Sequence, residues 1–285
     1  MKITSIIVTY NLNFSKLKKC VSSLLQQVEK IIIVKNSPEK LDFAGLSQEK
    51  IIQIQLDKNY GIAYAQNRGI EKSISLGAEW ILLSDQDTEF PDNYVENFSL
   101  KIKKYGIEKI YAPAFYNEIK NQKDPVSVSF CESTLPVGDE PLTVRHAIAS
   151  GMIFHKNVFE KTGGMSEKLF IDYVDFEFCW HAENLGIKTF VFPDIVIQHN
   201  LGDSFRKIFG KKITLRSDFR YFYMLRNGFY LSKNCGYLSE KEKKSLRKRT
   251  RIFAAGIVII SKSKISAFKL VRKAFFESKK MESEK

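Results

Sequence analysis

The sequence predicts an α/β protein built on a doubly wound, mostly parallel sheet. Short β-branched, apolar runs alternate with helical patterns in the first third of the chain, as in successive β-α-β units. A length of 285 residues allows one large core, and the 44% hydrophobic and 13% aromatic content is that of a globular protein. Because ligands of such sheets bind beyond the carboxyl ends of the strands, the residues that follow each strand are the first candidates for function.

The first part of the chain contains four predicted strands and two predicted helices. Ile3–Thr9 is a continuous β-branched and apolar run, as expected of a strand buried on both faces. Apolar residues at helical spacing predict a helix over Phe14–Gln27. The other elements predicted here are strands at Ile31–Val34, Ile51–Leu56 and Trp80–Leu83 and a helix at Ala63–Ser75, closed by Gly77.

The second half of the chain is less regular. Its polar stretch, residues 117–140, is rich in turn-forming residues and predicts at most one hairpin, around Val126–Phe130. Strands are predicted at Tyr111–Phe115, His146–Phe154 and Thr189–Phe192, and helices at Val174–Leu185, closed by Gly186, and at Phe219–Lys233.

Polar side chains follow three of the predicted strands. Thr9, Tyr10 and Asn11 lie at the carboxyl end of the first strand, Asn36 follows the second, and Asp85-Gln86-Asp87 follows the fourth. Two carboxylates in one turn are suitable ligands for a hard divalent cation such as Mg²⁺, which commonly shares its oxygen ligands with substrate phosphates. The alternative is that the two aspartates cap the next helix and solvate a loop.

An ordered set of motifs resembles glycosyltransferase family 2, which comprises inverting enzymes of the GT-A fold. Within that family the chain is most similar to bacterial rhamnosyltransferases, over roughly residues 1–235. The motifs are Val8-Thr9-Tyr10-Asn11, Asn59-x-Gly61-x5-Asn67-x-Gly69, Asp85-Gln86-Asp87, Ser150-Gly151-Met152, Gly163-Gly164, Asp172-Tyr173-Val174-Asp175-Phe176-Glu177, His199-x2-Gly202 and Arg220-x5-Arg226-Asn227. The resemblance implies a Rossmann-like GT-A domain over residues 1–235. The pattern of the remaining residues, 236–285, predicts a basic amphipathic helical tail.

The resemblance implies a metal site for Mg²⁺ or Mn²⁺ at the Asp-x-Asp turn. Asp87 would be the direct ligand, and Asp85 would face the ribose or a metal-bound water. His199 is similar to the late histidine that completes the metal shell in the family. The alternative for His199 is a histidine that ends a strand and bonds to the backbone.

The resemblance also implies a catalytic base. Displacement with inversion requires a group that deprotonates the acceptor hydroxyl as it attacks. Asp175 corresponds to the aspartate of the family's acidic signature, Glu177 lies two positions further on, and Asp172 is a nearby competitor. The alternative is that all three are acids favoured by the dipole at the amino end of a helix.

Donor and acceptor sites follow from the same comparison of motifs. Asn36 and Lys35 stand where many family members have two aspartates, one of which reads the pyrimidine base, and this leaves the preferred base open. As an alternative to ligand binding, Gly61 could serve an ordinary turn, and Arg220 and Arg226 could stack on Tyr223. The residues implied in donor binding are Thr9, Tyr10, Asn11, Asn36, Asn59, Gly61, Asn67, Arg68, Asp85 and Gln86. Those implied in binding the acceptor or the diphosphate are Ser150, Gly151, Asp172, Glu177, Arg220 and Arg226.

The net charge of +13 is concentrated in the tail. Residues 241–285 hold 15 Lys and Arg against 4 Glu, a net charge of +11, whereas the other residues hold 30 basic and 28 acidic side chains. Ile265, Phe268, Val271 and Phe275 recur at helical spacing among lysines and arginines, as in an amphipathic helix on an anionic membrane. A helix packed on the body or on a second subunit of a homo-oligomer is the alternative. No nucleic-acid partner is expected, since the body is nearly neutral and carries no recognised nucleic-acid motif.

The resemblance implies a glycosyltransferase, and the basic tail is expected to hold it on the cytoplasmic face of a bacterial plasma membrane. It would use a nucleotide-diphosphate sugar, with dTDP-rhamnose as the leading donor, to extend a polysaccharide on a lipid carrier. The alternatives are another donor, of the UDP-hexose or galactofuranose type, and a non-catalytic sugar-nucleotide-binding domain. The four scattered cysteines form no C-x-x-C motif, and no signal peptide is apparent, so reduced thiols in the cytoplasm are expected.

Overall fold

A computed structural model of the chain describes residues 1–38, 41, 43, 46–117, 121–130, 132–198, 205–208, 211–214 and 216–283. The strands are β1 (Ile3–Thr9), β2 (Lys30–Lys35), β3 (Ile51–Gln55), β4 (Trp80–Ser84), β5 (Lys109–Asn117), β6 (Gln122–Lys123), β7 (Val126–Ser127), β8 (Ser133–Thr134), β9 (Leu142–Val144), β10 (Ile153–His155), β11 (Lys188–Gln198), β12 (Phe205–Ile208) and β13 (Lys211–Thr214). The helices are α1 (Phe14–Leu24), α2 (Ile62–Ser75), α3 (Tyr94–Tyr105), α4 (Lys156–Thr162), α5 (Val174–Asn184), α6 (Asp218–Asn234), α7 (Glu240–Ile260) and α8 (Lys264–Ser283).

One large sheet is formed by strands that lie between residues 3 and 198. Its strands lie in the order β3-β2-β1-β4-β10-β5-β11-β9, with β6 paired to β5. The half formed by β3, β2, β1 and β4 is parallel, as predicted, whereas β10 and β9 run antiparallel to their neighbours, so the whole sheet is mixed. The predicted hairpin near Val126 is present as β7 and β8.

The strand predicted over His146–Phe154 is the largest error among the predicted elements. Only Ile153–His155 forms a strand there, and the preceding residues form a loop. The apolar run misleads because Gly151 adopts a φ of +80°, and the amide of Met152 bonds back to the carbonyl of Ala149 at 2.9 Å. These residues therefore turn into β10 instead of extending it.

Helices cover both faces of the sheet. Apolar residues of α1 and α3 join one face of β1 and β4 in a single core cluster. On the opposite face, α2 lies so close to β1 and β2 that a methyl group at Gly69 would collide with Ile6 Cγ2 and lie 3.1 Å from Val34 Cγ2. Gly69 thus permits the close approach of α2 to the sheet.

Gly69→Ala is expected to lower the free energy of unfolding by about 1–2 kcal/mol, because the collision with Ile6 outweighs the higher helix propensity of alanine. Gly256→Ala on α7 is the matched control, since its new methyl group would meet no atom within 4 Å. That control should be neutral or slightly stabilising. Urea denaturation of both variants measures the difference, and equal effects would contradict the packing argument.

The chain divides into two compact units. The first comprises Met1–Glu167 and Val174–Asn200, and the second comprises Lys168–Tyr173 and Leu201–Lys285. The second unit thus includes α6 and a short segment before α5, whereas the sequence predicted a boundary at residue 235. Within it, α6, α7 and α8 share an apolar cluster around Leu225, Ala254 and Ile257. In the part of the chain that the structure describes, no helix combines the length and the apolar character needed to cross a bilayer.

Candidate active site

The ends of three strands meet at one edge of the first unit. Because β1, β2 and β4 are parallel, the residues that follow Thr9, Lys35 and Ser84 leave the sheet on the same side. The loop before β10 reaches this edge as well, since the amide of Gly151 donates to the carbonyl of Leu83 at 2.8 Å. This edge therefore carries Thr9, Tyr10 and Asn11, together with Asn36 and the turn Asp85-Gln86-Asp87.

The Asp-x-Asp turn rests on a buried thiol. Ser84 Oγ donates to the carbonyl oxygen of Asp85 at 2.8 Å, and Cys20 Sγ lies 3.5 Å from the same oxygen. Burial, reinforced by the negative charges of Asp85 and Asp87, raises the pKa of Cys20 to about 12, so the thiol stays protonated as a donor. Cys20 therefore lies beneath the turn as a structural residue, a role that the sequence alone does not indicate.

The two aspartates of the turn differ in exposure. Asp85 is half-buried, whereas 45% of the Asp87 side chain is exposed, with its Oδ2 3.5 Å from Nζ of Lys16 on α1. An exposed pair of this kind contributes little to stability. Asp87 is therefore open to a cation from solvent, in competition with Lys16.

Gln86 joins the Asp-x-Asp turn to the end of β1. Its Oε1 accepts a hydrogen bond from the amide of Tyr10 at 3.0 Å, and its Nε2 donates to the carbonyl of Tyr10 at 3.3 Å. Both halves of the amide are therefore used within the protein, and the donor-binding role assigned to this side chain is not what the geometry favours. Gln86 instead positions Tyr10, whose side chain is exposed, and Asn11, which has a φ of +46°.

A two-residue segment connects the turn to the predicted base. Ser150 Oγ accepts from the amide of Asp85 at 3.1 Å and lies 2.8 Å from Thr88 Oγ1. The preceding residue, Ala149, donates its amide to Asp175 Oδ2 at 3.2 Å. Consecutive residues thus hold the Asp-x-Asp turn on one side and the predicted base on the other. Ser150 is buried, which suits this bracing role better than contact with acceptor.

Asp175 lies in the first turn of α5 and is half-buried. Its Oδ1 accepts from the amide of Phe176 at 3.0 Å, in addition to the bond from Ala149. Backbone donors on both oxygens fix the orientation of this carboxylate. Glu177 lies on the same turn and is also half-buried.

The loops after β2 and β3 are joined by Asn36. This buried side chain donates from Nδ2 to the carbonyl of Gly61 at 3.1 Å and accepts at Oδ1 from the amide of Tyr60 at 3.0 Å. Asn59 closes the same loop by accepting from the amide of Gly61 at 2.9 Å, and Gly61 has a φ of +88°. The amide of Asn36 is thus engaged by the loop instead of being presented to a base. Thr9 is likewise fully buried, and its carbonyl accepts a hydrogen bond from the amide of Asn36 at 2.9 Å.

Asn67 and Arg68 on α2 are also engaged within the first unit. The amide of Asn67 pairs with the backbone of Met165 in both directions, at 2.8 and 2.9 Å. Arg68 forms ion pairs with Glu71 at 2.7 Å and with Glu167 at 3.5 Å. The positive charge of Arg68, which the resemblance implies in donor binding, is therefore already balanced by two carboxylates.

The second unit accounts for the remaining predicted residues. Arg220 binds Asp172 with two hydrogen bonds, at 2.6 and 3.0 Å, so Asp172 is the partner of an arginine and a poor candidate for a base. Arg226 donates to the carbonyls of Lys168 and Leu169 and lies 4.6 Å from the ring centroid of Tyr223. Arg226 therefore stacks on Tyr223, which is the alternative to its predicted role in binding the acceptor or the diphosphate.

Asn227 belongs to one of the sequence motifs, in which it has no assigned role. It is fully buried, and its Nδ2 donates to the carbonyls of Leu169, Ile171 and Asp172 at 2.8 to 2.9 Å. The segment it binds contains three non-glycine residues with positive φ, namely Phe170, Asp172 and Tyr173. Such backbone is costly, and the bonds from Asn227 stabilise it immediately before α5 begins.

A divalent cation fits the Asp-x-Asp turn by its chemistry. Asp85 and Asp87 supply hard oxygen donors, and Mg²⁺ or Mn²⁺ bound by two carboxylates fills its other positions with water and phosphate oxygens. Among the described residues, no three His, Cys, Asp or Glu side chains are grouped so as to hold a metal alone. His199, the third predicted ligand, lies outside the described residues.

Solved structures share the fold. The S. aureus TarS 1-349 structure in complex with UDP-GlcNAc matches with a TM-score of 0.62 at 16% identity, covering 98% of this chain and 81% of that one. GalNAc-T7, solved with UDP, GalNAc and Mn²⁺, matches with a TM-score of 0.59 at 14% identity, and this chain spans 54% of its length. These likenesses confirm the predicted GT-A fold.

Sequence comparison points to the same family. The chain is 35% identical over 237 residues to the dTDP-rhamnosyl transferase RfbF of Shigella flexneri, covering 80% of this chain and 79% of that one. It is 27% identical over 177 residues to the low-salt glycan biosynthesis hexosyltransferase Agl10 of Haloferax volcanii, covering 58% and 57% of the two chains. The family model for glycosyl transferase family 2 matches residues 4–163. The protein is therefore a glycosyltransferase that belongs to family 2.

Proposed function

We propose that this glycosyltransferase transfers rhamnose from dTDP-rhamnose to a hydroxyl of a growing cell-surface polysaccharide, with inversion at the anomeric carbon. The donor rests on the identity to RfbF, which extends over about four fifths of both chains. The proposed acceptor is a glycan attached to a lipid carrier. The enzyme would meet this acceptor at the inner face of the plasma membrane.

The main support for this chemistry is the pair of hydrogen bonds made by the segment Ala149–Ser150. The segment fixes Asp175 through one amide and the turn containing Asp85 through one hydroxyl, so a base and a diphosphate site are braced by adjacent residues. In the proposed step, Asp175 accepts the proton of the acceptor hydroxyl as that oxygen attacks the anomeric carbon. The bond from this carbon to the diphosphate oxygen breaks, and the nucleoside diphosphate leaves with the electron pair.

The leaving diphosphate requires charge compensation. A bound Mg²⁺ or Mn²⁺ would supply Lewis-acid stabilisation of its oxygens. Asp87 and Asp85 would hold this ion, with His199 as the proposed third ligand, and GalNAc-T7 is a fold neighbour solved with Mn²⁺. Lys16, next to Asp87, adds a positive charge at the same place.

The nucleoside would lie over the carboxyl ends of β1 and β2. The exposed ring of Tyr10 is suited to stack on a base, and the exposed Asn11 offers polar groups beside it. Asn36, Asn59 and Gly61 shape the neighbouring loop. This indirect role differs from the direct base recognition that the sequence motif implied.

A panel of donors tests the proposal. dTDP-rhamnose, UDP-GlcNAc, a UDP-galactofuranose and the free nucleotides are titrated calorimetrically with Mn²⁺ and again with EDTA. dTDP-rhamnose is expected to bind at least tenfold more tightly than the UDP sugars, and the preference should persist in transfer assays. A UDP sugar is the main alternative donor, because TarS and GalNAc-T7 were solved with UDP-GlcNAc and UDP respectively. Tighter binding of a UDP sugar would contradict the assignment of dTDP-rhamnose as the donor. Binding without transfer to any glycan acceptor would favour a non-catalytic domain.

A further inference from the structure

The helices α7 and α8 have an unusual distribution of apolar side chains. Several of their large apolar residues face outward, although small residues occupy part of the face buried within the second unit. Exposed fractions are 62% for Ile252, 66% for Ile259, 71% for Ile265 and 63% for Phe268. The buried residues of the two helices are Leu246, Thr250, Ala254, Ile257, Ala267, Ala274 and Ser278. A helical pair folded only for stability in water would place isoleucine and phenylalanine inward.

The sequence had placed Ile265, Phe268, Val271 and Phe275 on one membrane-facing stripe. The structure corrects this for Val271, which packs against the cluster formed with α6. Ile265 and Phe268 remain exposed, and Ile252 and Ile259 on α7 are further exposed apolar residues. The outward apolar face is thus contributed by both helices.

The connection between the helices is well defined. Lys264 Nζ donates to the carbonyl oxygens of Ile259 and Ser261 at the end of α7. Ser263 caps α8 by accepting from the amide of Ser266 at 3.3 Å. These bonds hold Ile259 and Ile265 on either side of a short turn, where both are exposed.

The charge around this face has one sign. Residues 243–280 contain thirteen Lys and Arg and a single acid, Glu277. Lys262, Lys264 and Lys269 are exposed at or near the turn, among the exposed apolar residues. Glu277 is paired with Lys280 at 2.8 Å, so its negative charge is balanced locally.

We propose that the exposed apolar and basic face of α7 and α8, centred on Ile259, Ile265 and Phe268, binds the surface of an anionic phospholipid membrane. Isoleucine and phenylalanine enter the interface while lysine and arginine meet lipid phosphates. Nucleic acid would account for the charge and leave the apolar residues unexplained. A second copy of this chain would account for the apolar residues, but it would bring two surfaces of the same positive charge together.

Flotation with phospholipid vesicles tests the proposal. The full-length protein is mixed with phosphatidylcholine vesicles that contain about 30% phosphatidylserine, and with pure phosphatidylcholine vesicles. Ile259→Ser/Ile265→Ser/Phe268→Ser removes the apolar contribution, and Lys262→Glu/Lys269→Glu reverses two charges. The matched control is Leu100→Ser/Val137→Ser, which replaces residues of the first unit that are 59% and 72% exposed.

The parent protein and the control should bind anionic vesicles equally. Each of the other two variants should bind at least about tenfold more weakly, and the parent should bind neutral vesicles poorly. Circular dichroism and thermal unfolding verify that all variants are folded. Point substitutions are needed because truncation after Glu240 would remove residues that pack against α6.

Three results would overturn the proposal. The first is anionic-vesicle binding by the apolar and charge variants that equals the parent's. The second is a concentration-dependent dimer, abolished by the apolar variant, in a parent that does not bind vesicles. The third is binding to duplex DNA that only the charge variant loses, again without vesicle binding. All of these assays omit donor and metal, so their outcome is independent of the proposed rhamnosyl transfer.

Discussion

Asp175→Asn is expected to reduce kcat for sugar transfer by about 10³-fold and to leave donor binding nearly unchanged. The amide cannot take the proton from the acceptor hydroxyl, and general-base catalysis contributes factors of this order. The Kd for the nucleotide sugar in Mn²⁺ should remain within about threefold of the parent value, because the carboxylate is proposed to act on the acceptor. Rapid-quench turnover and calorimetry measure the two quantities.

A structural effect of the same substitution must be separated from the chemical one. Asp175 accepts one backbone hydrogen bond on each oxygen, from Ala149 and from Phe176, whereas asparagine has a single accepting oxygen. A loss of about 1 kcal/mol in the free energy of unfolding is therefore expected, which leaves the protein folded at 25 °C. Parallel loss of donor binding and transfer would instead mean that the loop through Ser150 has moved.

Glu177→Gln tests the competing assignment on the same helix. If Asp175 is the base, this variant should keep transfer within about tenfold of the parent. A larger loss in Glu177→Gln than in Asp175→Asn would assign the base to Glu177. Asp172 is not a useful third arm, because its carboxylate is held by Arg220 and its replacement would release a strained segment.

Periodicity alone was sufficient to predict most of the sheet. Predicted and observed bounds agree within one or two residues for β1, β2, β3 and β4, because each is a short apolar run ended by polar or turn-forming residues. The prediction failed over His146–Phe154, where an apolar run contains Gly151. The φ of +80° at that glycine and the bond from Tyr94 to its carbonyl depend on packing that no local pattern reveals.

The candidate site was predicted as a set of residue types and positions, but several roles differ. Asn36, Gln86, Asn67 and Ser150 were all assigned to ligands, and the structure uses their polar atoms to join loops. A motif indicates that a side chain of a given type is needed at a position. It does not indicate whether that side chain meets the ligand or fixes the backbone that does, since amides and hydroxyls serve both purposes equally well.

Asp87→Ala is expected to remove the Mn²⁺-dependent part of donor binding. If Mn²⁺ tightens the binding of dTDP-rhamnose or dTDP to the parent protein, the Kd of the variant in Mn²⁺ should rise at least tenfold and approach the value measured in EDTA. The reason is that loss of one of two carboxylates leaves too few protein ligands for a hard cation that is shared with a diphosphate. Direct titration with Mn²⁺, followed by electron paramagnetic resonance, should show weaker metal binding in the absence of nucleotide.

Glu89→Ala is the matched control for this experiment. Asp87 and Glu89 are both exposed, and each lies 3.5 Å from a lysine of α1, Lys16 and Lys19 respectively. Removing either carboxylate therefore breaks an equivalent surface ion pair, which contributes at most about 1 kcal/mol to stability. Only the Asp87 variant should lose Mn²⁺ affinity. Equal metal and donor affinities in the two variants would exclude Asp87 from the metal shell, and the positive charge opposite the diphosphate would then have to come from side chains such as Lys16.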